Sequence, residues 1–120
     1  MPPMTRLSAL SLLMLSSVHA QDTEVPAREI GESWTGKTLS GSTAQGATAS
    51  MQFQADGTAV LQAGRMRDTG TWRVSESGYC TTWKTVRAGE ERCFTVRRAG
   101  NRLTVLNPDG SVSGYFNDPR

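Results

Sequence analysis

Few residues in this chain are able to do chemistry, and their placement limits what that chemistry is. The single histidine is His19. It follows Arg6 and the apolar run Leu7 to Leu15 and sits in the small-x-small site Val18-His19-Ala20, the pattern of an export signal cleaved after Ala20. A mature chain without imidazole has no Ser-His or Cys-His nucleophile pair and no histidine metal ligand. Asp56 and Asp109 each precede a glycine in a turn context, where a carboxylate serves backbone geometry. Neither turn continues into a calcium-loop pattern, and no two carboxylates have a spacing suited to acid/base work. The expectation is a protein with no catalytic residues, no metal site and no cofactor.

One formal motif is present. Gly31-Glu32-Ser33-Trp34-Thr35-Gly36-Lys37-Thr38 fits G-x-x-x-x-G-K-[ST], the phosphate-binding loop. That loop needs a buried strand before it and a helix after it, so that backbone amides meet the phosphates. Here a polar, acidic segment precedes it and Leu39-Ser40-Gly41-Ser42 follows without helical periodicity. The match is read as chance.

Cys80 and Cys93 are the only cysteines. They lack the C-x-x-C spacing of a redox pair, and in an exported chain two cysteines form one structural disulfide. Closing so short a loop contributes about 3 kcal/mol in the chain-entropy model.

The remaining candidates are binding groups. Residues 22–32 carry a net charge of −3, and residues 65–102 carry +5. The acidic lead and basic body either attract each other or leave the body to attract an anionic partner or surface. Arg73, Lys84 and Arg97 are the outward cations, and Trp72, Tyr79 and Trp83 are aromatics able to line a ligand cavity. The simpler readings are that the cations solvate a sheet face and that the aromatics fill the barrel completely. Nucleic acid is not expected, because the net charge of the whole chain is only +2. No stretch is long and apolar enough for a membrane span.

The elements that must position these residues are strands. Ala47, Ala49, Met51 and Phe53 alternate with Thr48, Ser50, Gln52 and Gln54, the period of a half-buried strand. Asp56-Gly57 turns it into Thr58 to Ala63. Thr71 to Ser75 repeats the pattern with Trp72 and Val74 inward. If Cys80 lies opposite Cys93 in an antiparallel hairpin, Tyr79 falls opposite Phe94, with the disulfide on one face and the aromatics on the other. Asn107-Pro108-Asp109-Gly110 has the chemistry of a type I turn. With strands near 37–39, 102–106 and 111–116, about eight strands at hairpin spacing predict an all-β, up-and-down antiparallel barrel or sandwich. The expected organisation is a signal peptide at 1–20, a lead-in at 21–33 and one disulfide-stapled β domain at 34–120. Within the lead-in, Pro26 suits a first helical position, and Val25, Ile30 and Trp34 pin a short helix to the domain.

Gly70-Thr71-Trp72-Arg73-Val74, Gly78-Tyr79-Cys80-x-x-Trp83, Arg92-Cys93-Phe94-x-Val96 and Asn107-Pro108-Asp109-Gly110 together resemble small exported proteobacterial lipocalin-like proteins of unknown function. The resemblance covers residues 36–116 and implies a barrel, with no catalytic residues to carry over. More distantly the chain is similar to small periplasmic protease-inhibitor barrels. The functional expectation is a non-enzymatic binding domain of the bacterial envelope, periplasmic or secreted, whose partner is an envelope protein or a small amphipathic ligand. The alternative is a stoichiometric inhibitor of a secreted hydrolase acting through residues 21–33.

Overall fold

The computed structural model describes residues 22–120. The signal-peptide assignment at 1–20 lies outside the described residues. From the start of the described chain the elements are β1 (Thr23–Glu24), α1 (Ala27–Trp34), β2 (Lys37–Thr43), β3 (Thr48–Phe53), β4 (Thr58–Ala63), β5 (Met66–Val74), β6 (Tyr79–Trp83), β7 (Arg92–Ala99), β8 (Arg102–Leu106) and β9 (Val112–Asn117). From β2 to β9 every strand pairs antiparallel with its sequence neighbours, and β2 pairs with β9 to close an eight-stranded up-and-down barrel. Closure leaves the barrel no free edge. Strand β1 is an extra rung on β7, at Arg97 and Arg98, beyond the stretch of β7 that β6 covers.

The sulfur register is the one the alternation implies. Cys80 pairs with Cys93 and Tyr79 with Phe94, and the disulfide is formed. The sulfurs lie on the outer face, and the Tyr79 and Phe94 rings meet inside at 5.2 Å.

Three local expectations are corrected. Strand β2 runs to Thr43 rather than stopping at Leu39, because Gly41 lets β9 close in: a Cβ there would fall 1.8 Å from the Tyr115 carbonyl oxygen. Strand β5 begins at Met66 rather than Thr71, which places Asp68 and Gly70 on the same inward face as Trp72. Val74 is not a core residue: it is 39% exposed at the strand's end, beside Gly31 of α1.

The short helix α1 forms where the lead-in allowed one. Pro26 stands just before it, and its carbonyl accepts the Ile30 amide, so its missing N–H and fixed φ do no harm. The helix closes one barrel end. Val25, Ile30 and Trp34 are completely buried there, and Trp34 stacks edge-on or tilted against Phe53, Tyr79 and Phe116 at 5.1–5.7 Å. The acidic lead is tied down by the basic body: Asp22 accepts from Arg97 at 2.7 Å, and Arg98 bonds both Glu29 and Asp118. Of the two electrostatic readings of these charges, attraction within the chain is the one these pairs realise. The turns at 54–57, 75–78 and 99–101 lie at this helix end, so the 44–47, 64–65, 84–91 and 107–111 connections lie at the other.

Candidate functional site

The expectation that aromatics fill the barrel completely holds only at the helix end. At the other end the inward positions of β3 and β4 are Ala49, Met51, Leu61 and Ala63, and that of β9 is Gly114. These side chains are too small or too slender to meet across the barrel. A cavity of about 240 Å³ remains there, open to solvent and mostly apolar. Eight strands suffice to enclose either packed side chains or one small ligand, and this barrel does each at one end.

Across from the alanines the wall is polar. Tyr79 and Thr81 of β6 and Phe94 of β7 face inward, and the 84–91 loop folds Arg87 in over them. The Arg87 guanidinium lies over the Phe94 ring, with its central carbon 5.3 Å from the centroid. Nη2 donates to Thr81 Oγ1 at 3.3 Å, while Nη1 is buried without a hydrogen-bond partner among the described residues. It is the sole buried side-chain polar atom left so among them. A buried donor without a partner is unfavourable, most of all on a charged group, and needs a reason. Burial, then the like charge of Arg92, lowers the pKa of Arg87. The guanidinium nonetheless stays protonated at any physiological pH. Burial likewise pushes the Tyr79 phenol well above its usual range, against the pull of the Arg87 charge. Tyr79 is therefore a neutral hydroxyl on the cavity wall.

The loop that presents Arg87 is built for that position. Asp68, inward on β5 and 5% exposed, accepts the Thr85 and Val86 amides at 2.9 and 2.8 Å on one carboxylate oxygen. Its other oxygen takes the Thr69 amide and the Thr85 hydroxyl. The Val86 amide bond is the main reason its pKa lies below the usual carboxylate value, with burial opposing. Held there, the chain turns through three successive left-handed residues, Arg87 (φ 58°), Ala88 (φ 52°) and Gly89 (φ 79°). Two of these are not glycine, and each such residue stores roughly 1 kcal/mol or more. Local strain thus coincides with a buried, unpartnered guanidinium nitrogen at Arg87, which makes this loop the candidate site on the rim.

The candidates chosen from sequence are divided by the fold. Tyr79 lines the cavity. Trp72 and Trp83 are buried in the core and do not line it; the Trp72 indole donates to the Gln54 carbonyl at 2.9 Å. Arg73 forms a two-pronged pair with Glu91 on the outer face beside the disulfide, and Arg97 is paired with Asp22. Lys84 is exposed at the start of the loop. Glu91 also lies close to both sulfurs, but these are bonded to each other and offer no thiolate to a metal. Arg87, Thr81 and Asp68 were not singled out by sequence. Asp68 is reached by carrying the Trp72 alternation back through Gly70; for Arg87, in a loop with no turn signal but Gly89, no pattern exists.

The formal phosphate-loop motif spans the end of α1, the turn at Gly36 and the start of β2, so its lysine and threonine follow a helix instead of preceding one. No family model, curated protein or solved structure matches the chain. Among the described residues no helix is long and apolar enough to cross a membrane.

Proposed function

We propose that this chain is a non-enzymatic, exported binding domain that takes a small amphipathic molecule into the open end of its barrel. One observation carries the reading: a mostly apolar cavity of about 240 Å³ is lined by Arg87, one of whose guanidinium nitrogens is buried with no hydrogen-bond partner among the described residues. A cavity of about 150 Å³ accommodates benzene, so this one suits on the order of ten non-hydrogen atoms. Convergent polar groups on an otherwise apolar concave wall are the usual make-up of a small-molecule site. The disulfide supports export, since such bonds persist in oxidising compartments. The absence of imidazole after His19 and of any paired carboxylates in the cavity supports a binding role over catalysis.

The inhibitor reading is less well supported. It needs residues 21–33 free to insert elsewhere, yet Val25, Ile30 and Trp34 are fully buried in this barrel. On the outer face, Arg73 and Arg97 are already paired with carboxylates of this chain.

Native mass spectrometry of the purified chain tests the proposal. A one-to-one small-molecule adduct is expected, either carried through purification or formed on adding eight- to ten-carbon amphiphiles. Ala63→Phe, which grows a ring into the cavity, should abolish it while leaving the circular dichroism spectrum unchanged. A folded wild-type chain that takes up no amphiphile at millimolar concentration removes the proposal.

A further inference from the structure

The cavity's polar side is cationic and has no carboxylate to balance it. Arg87 and Arg92 both line it, close enough for Arg92 to depress the Arg87 proton affinity. No acidic residue is among the lining side chains, and Arg87 forms no ion pair among the described residues. Away from the cavity, Arg73, Arg97 and Arg98 each have a carboxylate within 3 Å. The Arg87 guanidinium, folded in over the cavity, has no such counter-charge. Phe94 lies against the guanidinium and Nη2 donates to Thr81 Oγ1, while Nη1 is buried with no hydrogen-bond partner among the described residues. The hydroxyl-bearing Thr81 and the neutral Tyr79 phenol line the same cavity.

We infer that the ligand is a free amphipathic monoanion, a medium-chain carboxylate, whose head group binds Nη1 of Arg87 and whose tail lies along Ala49, Met51, Leu61 and Ala63. This rests on the cavity reading above and names the chemistry of its occupant. The match has two parts. An anion there converts a buried unpartnered donor into a charge-assisted hydrogen bond, about twice as strong as a neutral one. The apolar wall then accepts a chain of about eight carbons, which sets the length of the tail. Asp68 enters as a positioning residue. It touches no ligand, but its bonds to the Thr85 and Val86 amides hold the loop that places Arg87.

The experiment compares octanoate, octan-1-ol, octylamine and acetate on the wild-type chain by isothermal titration calorimetry at pH 7.5 and low salt. Octanoate should bind roughly ten- to a hundred-fold more tightly than octanol, the range of one charge-assisted hydrogen bond. Acetate and octylamine should bind at least a hundred-fold more weakly than octanoate. Arg87→Met keeps a non-glycine residue in the left-handed position and removes the charge; octanoate and octanol should then bind alike. Arg87→Lys should restore part of the preference. If all four probes fail to bind, the cavity reading itself falls. If octanol or octylamine matches octanoate, or Arg87→Met keeps the preference, the anionic assignment falls and the cavity reading stands. Acetate binding as tightly as octanoate overturns the amphipathic part. A lipid head group is the other source of such an anion, so vesicles of phosphatidylglycerol complete the set. The chain should stay in the supernatant when they are pelleted, and co-sedimentation lost in Arg87→Met would overturn the assignment to a free ligand.

Discussion

Replacing Trp34 with alanine tests whether α1 is part of the core or a detachable lead. The Trp34 side chain is fully buried and touches three aromatic rings at 5.1–5.7 Å. An aromatic side chain of its class buries about 150–250 Å². At about 25 cal/mol per Å² this corresponds to roughly 4–6 kcal/mol, close to the 3–5 kcal/mol typical of large aromatic-to-alanine changes. Net stability of domains this size is about 5–15 kcal/mol, so a loss near 4 kcal/mol removes a large share of it. The corresponding fall in Tm is roughly 20 °C, at about 4–8 °C per kcal/mol. Guanidinium unfolding followed by circular dichroism gives the number, with Trp34→Phe as a milder control that keeps part of the ring packing. A Trp34→Ala loss below about 1 kcal/mol would refute the reasoning, because it would mean the helix end does not depend on its plug. It would also reopen the inhibitor reading, which needs that segment free.

Three further outcomes follow from the same structure. Asp68 binds the Thr85 and Val86 amides more strongly when ionised, so its folded pKa lies below the ordinary 3.8. Its contribution is complete above that ordinary value and is lost as pH falls through the lower folded one; hydrogen exchange at Thr85 and Val86 should accelerate there, and Asp68→Asn should show that acceleration already at pH 7. Ala88 is exposed with φ 52°, so Ala88→Gly should raise stability by about 1 kcal/mol in chemical denaturation, whereas Ala88→Val should lower it. Removing the disulfide as Cys80→Ser with Cys93→Ser should lower stability by about 3 kcal/mol without shifting inward-facing NMR signals, since the sulfurs lie outside the barrel wall.

The residues that announced themselves in the sequence did so through period two and through pairing chemistry. Tyr79 and Cys80 on one strand, with Phe94 and Cys93 on the next, fix a register twice over, and that redundancy made the hairpin legible. Asp56-Gly57 and Asp109-Gly110 mark turns because the carboxylate caps the following backbone: each aspartate accepts the amide two residues on, from Thr58 and Ser111. The cavity was not legible. Alternation tells which side chains point inward but not whether they fill the space; that Ala49, Ala63 and Gly114 gather at one barrel end emerges only from closure between β2 and β9. Arg87 was hidden for another reason. Its position depends on a left-handed backbone at residues other than glycine, which local composition does not signal, and on Asp68, a charged residue at an inward position. Such a breach of the apolar alternation is where a site is to be sought, and here Asp68 leads directly to the loop that presents Arg87.

The most direct measurement is a two-dimensional ¹H–¹⁵N NMR titration of the isotopically labelled chain with octanoate. Ligand entry at the open barrel end should shift the amides of Ala49, Ala63, Thr81 and the 84–91 loop, saturating together at one equivalent, while Ile30 and Trp34 at the helix end stay still. Shifts centred instead on Arg73 and Arg97 of the outer face, or none at all, would contradict the account.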